Sequence, residues 1–171
     1  NGRNRGMIKR RLVHALAGLI VCSSACASAA GRPPSLVAPK LALSDLAGQP
    51  RYPSDFLGHV VLLEFFATWC EPCRTSLATY NEWQREHGDK GLVVIAVSLD
   101  EKGAPVAGFA RRYAPDLLVL LDPDAIYASY LKVRTLPATY LFDRTGKLVS
   151  RHVGIAPASL RAEVVALVSG H

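Results

Sequence analysis

Cysteine is scarce in this 171-residue chain, with four in all, and methionine scarcer still, with one. Only Cys70 and Cys73 lie outside the first 26 residues. No second C-x-x-C, C-x-x-H or H-x-H group exists to complete a tetrahedral site, and His59, His87 and His152 stand singly, so the composition speaks against zinc. An excess of charge is also missing where it would count. The formal net charge of +6 comes entirely from Arg3, Arg5, Lys9, Arg10, Arg11 and Arg32; from Ser35 onward 14 Lys/Arg face 14 Asp/Glu. A globular part that is neutral overall has no electrostatic argument for nucleic-acid binding. Internal repeats are absent as well, which excludes a solenoid or an array.

What is present is apolar. Half the residues are hydrophobic, enough for one domain with a sizeable core. The first 30 residues have the order of an export signal: "MIKRR" is basic, "LVHALAGLIVC" apolar, and "ACASAA" offers small residues for cleavage after Ala27 or Ala29. Leu12 to Ala30 is also a 19-residue uncharged stretch, close to the length of a membrane anchor, and lipidation at Cys22 or Cys26 is a third fate. "NGRNRG" precedes a plausible start at Met7. Residues 31–38 read as a Pro-rich linker and 39–171 as the domain. The expected location is periplasmic or otherwise extracytoplasmic, with the protein soluble or tethered to the inner membrane, in a compartment where disulfides persist.

Within the domain, apolar runs and helical spacings alternate. "KLALSDLAGQPRYPSDFLG" suggests an edge hairpin, because Pro50 and Pro53 cannot serve a central strand. "HVVLLEFFA" is a continuous apolar run, so it predicts a central strand covered on both faces. "EPCRTSLATYNEWQREHG" places Leu77, Tyr80 and Trp83 at helical spacing. Next come the strand "GLVVIAVSLD", the helix "APVAGFARRYAP", the strand "LLVLLD", and a short helix capped by Asp122 or Asp124. "ATYLFD", "DRTG" and "KLVSRHVG" give strand, turn and strand, and a last helix puts Leu160, Val164 and Leu167 on one face. The pattern predicts an α/β fold, a central mixed sheet flanked by helices.

Two cysteines two residues apart at a strand-to-helix junction are chemically unequal. Free amides and the helix dipole favour a thiolate at Cys70, and the thiolate is the form that attacks disulfides. Cys73, one turn inside the helix, is placed to resolve the mixed disulfide. Pro72 suits a first turn, where its missing N–H costs little. On a strand, Leu62, Glu64 and Phe66 share one face, so a carboxyl at Glu64 is desolvated, its pKa is raised, and it is a candidate general base for Cys73. An inert disulfide, a metal carrier and a thiol peroxidase are the competing readings. The last usually needs a proline ahead of the cysteine that "FFATWC" lacks.

"FFATWCEPCR", followed some sixty residues later by "TLPATYLFD" and "GKLV", resembles the thioredoxin superfamily. The added N-terminal hairpin, and a segment "EKGAPVAGFARRYAPDLLVLLD" where that branch has a central αβ insertion, are similar to its exported TlpA/ResA branch. The resemblance implies a thioredoxin-like fold with an N-terminal β-hairpin. It implies a cis-proline at Pro137, whose loop offers the backbone of Leu136 to substrate, and an indole at Trp69 beside the nucleophile. It also implies a potential-tuning dipeptide at Glu71 and Pro72, and a buried acid at Glu64. The implied activity is thiol–disulfide exchange without a bound cofactor, the Cys70–Cys73 disulfide being the electron carrier. Expected partners are protein disulfides or dithiols and a membrane dithiol electron donor, with apocytochrome c or copper-delivery proteins as targets; an oxidase with the same residues is the nearest alternative. The chain departs from the family in lacking the Glu-x-Pro that follows the second cysteine in many relatives. Arg74 and Arg134 read either as solvated side chains or as groups that steer an acidic partner.

Overall fold

The computed structural model describes residues 41–170. The leader and linker assigned above, and the first two residues of the expected domain, lie outside the described residues. Among the described residues no helix is long and apolar enough to cross a membrane.

Within the described residues seven strands form one mixed sheet in the order β2-β1-β5-β4-β3-β6-β7. The apolar run folds as β3 (Val60–Phe66), every residue of which is buried. It lies between β4 (Leu92–Ser98), to which it is parallel, and β6 (Ala138–Phe142), to which it is antiparallel. β5 (Leu118–Leu121) extends the parallel part beyond β4, and β7 (Leu148–Val153) closes the opposite edge against β6. The edge hairpin is β1 (Leu43–Asp45) with β2 (Pro50–Arg51), and β1 pairs antiparallel to β5. Its turn is held by Asp45, whose Oδ1 accepts the N–H groups of Ala47 and Gln49, each at 2.9 Å, while Gly48 takes φ +77°.

Helices cover both faces. α1 (Glu71–His87), α2 (Val106–Tyr113) and α4 (Ala158–Val168) pack on the face that carries Val60, Leu62 and Phe66. α3 (Ile126–Tyr130) packs on the other, with Val61, Leu63 and Phe65. The period of two in β3 therefore sends alternate side chains into two separate cores. The expected central insertion is α2 with β5.

Two local expectations hold and gain detail. Along α4, Leu160 and Val164 are buried and Leu167 packs partly buried against the same core, with Val168 buried beside them on the same stripe. For α3, Asp122 does supply the cap, accepting the N–H groups of Ile126 and Ala128 at 2.8 Å each. It reaches them from four residues ahead of the helix, because Ala125 turns the chain with φ 51°.

Candidate active site

β3 ends at Phe66, and four residues later α1 begins with Cys70 as its N-cap. Glu71 and Pro72 occupy the first two helical positions, where the absent proline N–H leaves no hydrogen bond unmade. Cys70 and Cys73 are joined by a disulfide with Cα atoms 5.4 Å apart. Cys73 is fully buried and Cys70 nearly so, whereas the neighbouring Trp69 is 74 % exposed. Glu71 is also exposed and pairs with Arg74 at 2.5 Å, one turn along. Cys70 thus sits at the positive end of a 17-residue helix, which favours negative charge on its sulfur once the disulfide opens.

The loop carrying Trp69 is tied down from the neighbouring strand. Asp100, just beyond β4, accepts the Thr68 N–H at 2.9 Å and the Thr68 hydroxyl at 2.7 Å; Ser98 Oγ donates to the same carboxylate at 2.8 Å. Nothing in the cysteine motif pointed to Asp100. The only available signal was an acid at the carboxyl end of the strand predicted to flank the central one.

Behind the disulfide lies a buried polar cluster. Glu64 has no solvent exposure, and desolvation pushes its carboxyl up to about 8, with a hydrogen bond from Ser76 opposing the rise. Ser76 donates to Glu64 Oε1, and the same hydroxyl lies 3.3 Å from the carbonyl oxygen of Cys73. One hydroxyl proton therefore serves two acceptors. When Glu64 carries its own proton it can donate to Ser76, freeing the serine proton for the Cys73 carbonyl. Glu64 Oε2 has no hydrogen-bond partner among the described residues. Across the sheet Glu64 registers with Thr139 of β6, whose hydroxyl shares a 2.9 Å hydrogen bond with Tyr80 of α1. Burial raises the Tyr80 phenol, and the nearby Glu64 carboxylate raises it further. Ser76 and Tyr80 follow Cys73 at i+3 and i+7, so helical spacing offered a signal for both. Thr139 could be placed beside Glu64 only by strand register.

The Leu136–Pro137 peptide bond is cis. Leu136 and Trp69 line one groove of about 460 Å³ with Leu99, Val133, Arg134 and Thr135. The structure thus brings Trp69 and Leu136 together at the surface and Glu64 and Cys73 together beneath it. Arg74 is more than a solvated side chain: its guanidinium lies 5.7 Å from the centre of the Tyr113 ring. Among the described residues no group of three or more His, Cys, Asp or Glu could hold a metal ion.

Comparison with known proteins agrees with this arrangement. Residues 35–151 match the model of the AhpC/TSA family. The chain is 38 % identical over 120 residues to the thioredoxin-like protein YneN of Bacillus subtilis, covering 68 % of this chain and 69 % of that one. It is 32 % identical over 117 residues to the thiol-disulfide oxidoreductase ResA of Bacillus cereus, covering 68 % of each. Among solved structures, a protein assigned as thiol:disulfide interchange protein DsbE from Chlorobium tepidum superposes with a TM-score of 0.70 at 34 % identity, over 75 % of this chain and 92 % of that one. The chain belongs to the AhpC/TSA family of thioredoxin-like proteins.

Proposed function

We propose that this AhpC/TSA-family chain is a thiol–disulfide oxidoreductase that reduces protein disulfides outside the cytoplasm. The observation that carries the reading is the Cys70–Cys73 pair at the N-terminus of α1, with an exposed indole in front and a buried carboxyl of raised pKa behind. In the reduced protein, the Cys70 thiolate attacks one sulfur of a substrate disulfide. A Cys70–substrate bond forms, the substrate S–S bond breaks, and the leaving sulfur takes a proton. Glu64 then removes the proton of the Cys73 thiol, and the Ser76 hydroxyl ties its carboxyl to the Cys73 backbone. The Cys73 thiolate attacks Cys70 and releases the second substrate thiol. Two electrons have moved to the substrate, and the Cys70–Cys73 disulfide is the oxidised product. The pair carries the electrons itself, so no bound cofactor is required.

Trp69 and Leu136 form the surface on which the substrate strand rests, the cis bond at Pro137 shapes the loop that presents Leu136, and Glu71 and Pro72 tune the potential of the pair. Export rests on the leader-like order of the first 30 residues. In an oxidising compartment the pair has to be reduced again, which calls for a membrane dithiol donor; apocytochrome c thiols or copper-delivery proteins are the proposed targets. Replacing Cys73 with Ser stops resolution, so partners should be trapped on Cys70 as mixed disulfides that dithiothreitol releases. Recovery of none from an extract in which the wild type is active would overturn the mechanism. The direction of electron flow is tested by equilibrating the pair against glutathione. A potential near the reducing value of about −270 mV supports a reductase, and one near the oxidising value of about −120 mV reverses the assignment.

A further inference from the structure

Trp69 stands between two grooves. One is the groove shared with Leu136. The other, of about 440 Å³, lies on the α2 side and is walled by Arg74, Pro105, Phe109, Arg112 and Tyr113. We propose that this second groove selects partner proteins carrying an acidic residue beside an apolar one next to their reactive cysteine, with Arg112 as the specificity determinant. The proposal rests on the disulfide-exchange reading and names its substrate class.

The groove is built on a rigid floor. Phe109 stacks on Phe66, the last residue of the central strand, with ring centres 5.5 Å apart and planes 17° apart, and Tyr113 packs on Phe109 at 4.8 Å. An apolar side chain of a partner therefore finds a preformed aromatic surface. The charges around that floor are mostly of one sign. The guanidiniums of Arg74 and Arg112 both lie against the Tyr113 ring, at 5.7 and 5.4 Å from its centre. Arg74 is matched by Glu71, but Arg112 makes no ion pair among the described residues. An exposed guanidinium beside an aromatic floor, held on a helix and left without a counter-ion, suits a carboxylate whose neighbour is apolar. Because the chain is neutral overall from Ser35 onward, this is a local feature and not a consequence of net charge. A partner joined to Cys70 through a mixed disulfide has its flanking residues beside Trp69, at the mouth of this groove.

The test uses three otherwise identical peptides, each joined through its one cysteine to a chromophoric thiol, with Glu-Leu, Gln-Leu or Lys-Leu beside that cysteine. The reduced protein is mixed with each, and the second-order rate of thiol release is followed at low and high salt. The expected result is a Glu-to-Lys rate ratio of about tenfold at low ionic strength, collapsing near 1 M salt, where the Debye length is about 3 Å. Arg112→Glu should bring the ratio to unity or invert it, and Arg112→Lys should keep much of it. Arg111→Glu makes the same charge change on the same helix outside the groove, and should leave the ratio close to that of the wild type. Equal rates for the three peptides, or equal effects of the changes at Arg111 and Arg112, would overturn the proposal while leaving disulfide exchange intact. Failure of the wild type to release the thiol from any peptide would instead remove the exchange reading on which it stands. Both arginines are exposed, and thermal melts of the variants are to be recorded alongside, so that the ratios compare folded proteins.

Discussion

The two faces of the sheet are made by the same strands and serve different ends. On the α3 side, Leu63, Phe65, Ile95, Val97, Tyr140 and Phe142 pack as a hydrocarbon and aromatic layer, and the Tyr140 hydroxyl is spent on the carbonyl of Leu131 at 2.8 Å. On the α1 side, one residue further along β3, Glu64 is buried beside Ser76, Thr139 and Tyr80. A buried carboxyl that lacks a cation is costly, so this face gives up stability that the other retains. Both faces carry an apolar core, and the α1 face alone sets a buried glutamate within it, one strand's thickness from the other.

The largest expected effect lies on the apolar face. Phe65→Ala removes a fully buried ring that touches Tyr127 and Tyr140, and should lower the unfolding free energy by roughly 3–5 kcal/mol in a denaturant titration. The pH dependence of mixed-disulfide resolution should stay as in the wild type; a changed profile would mean that the two faces are coupled.

Glu64→Gln probes the other face. The folded carboxyl is pushed up to about 8 from 4.5, so it remains protonated in the folded state at pH values where the unfolded chain has already ionised. The Glu64 contribution to stability is therefore fully present below pH 4.5 and is lost as pH rises to about 8, by up to a few kcal/mol; the Gln variant should lack this loss in melts recorded across pH. The same substitution should slow resolution about a hundredfold and abolish its rise toward pH 8, measured by stopped flow.

Asp100→Ala leaves the Thr68 N–H and hydroxyl without their acceptor and should cost on the order of 2 kcal/mol. Loosening the Trp69 loop should also slow the first attack, leaving resolution near its wild-type rate. Ser76→Ala is the mildest change, about 1 kcal/mol. Its diagnostic readout is the pH midpoint of resolution. The serine hydrogen bond lowers the Glu64 pKa, so its removal should move that midpoint above about 8. An unmoved midpoint would show that Ser76 does not act on Glu64.

Much of this was legible in the chain because it depends on neighbours in sequence. Two cysteines at a strand-to-helix junction, an acid alternating with Leu62 and Phe66, and Pro50 in an edge hairpin are local patterns, and each appears where the spacing places it. Helical spacing put Ser76 and Tyr80 on the face of Cys73, but their pairing with Glu64 and Thr139, and that of Thr68 with Asp100, was not legible. Ser76 is 12 residues from Glu64, Asp100 is 32 from Thr68, and Thr139 is 59 from Tyr80. Those meetings depend on strand register and helix docking, which a one-residue slip would undo. The α2 groove belongs to the same class, since Arg112 and Tyr113 reach Trp69 and Arg74 only through packing.

The sequence by itself determined which side chains are chemically unusual: two cysteines at a helix start, and one carboxyl in a strand too apolar to welcome it. Periodicity and helix-end electrostatics are properties of short segments, so they survive without a fold. The tertiary structure alone decided what surrounds those side chains, namely the hydroxyl between Glu64 and Cys73, the carboxylate that holds the Trp69 loop, and the arginines on the far side of the indole. Desolvation and long-range hydrogen bonds exist only once distant segments have excluded water from between them.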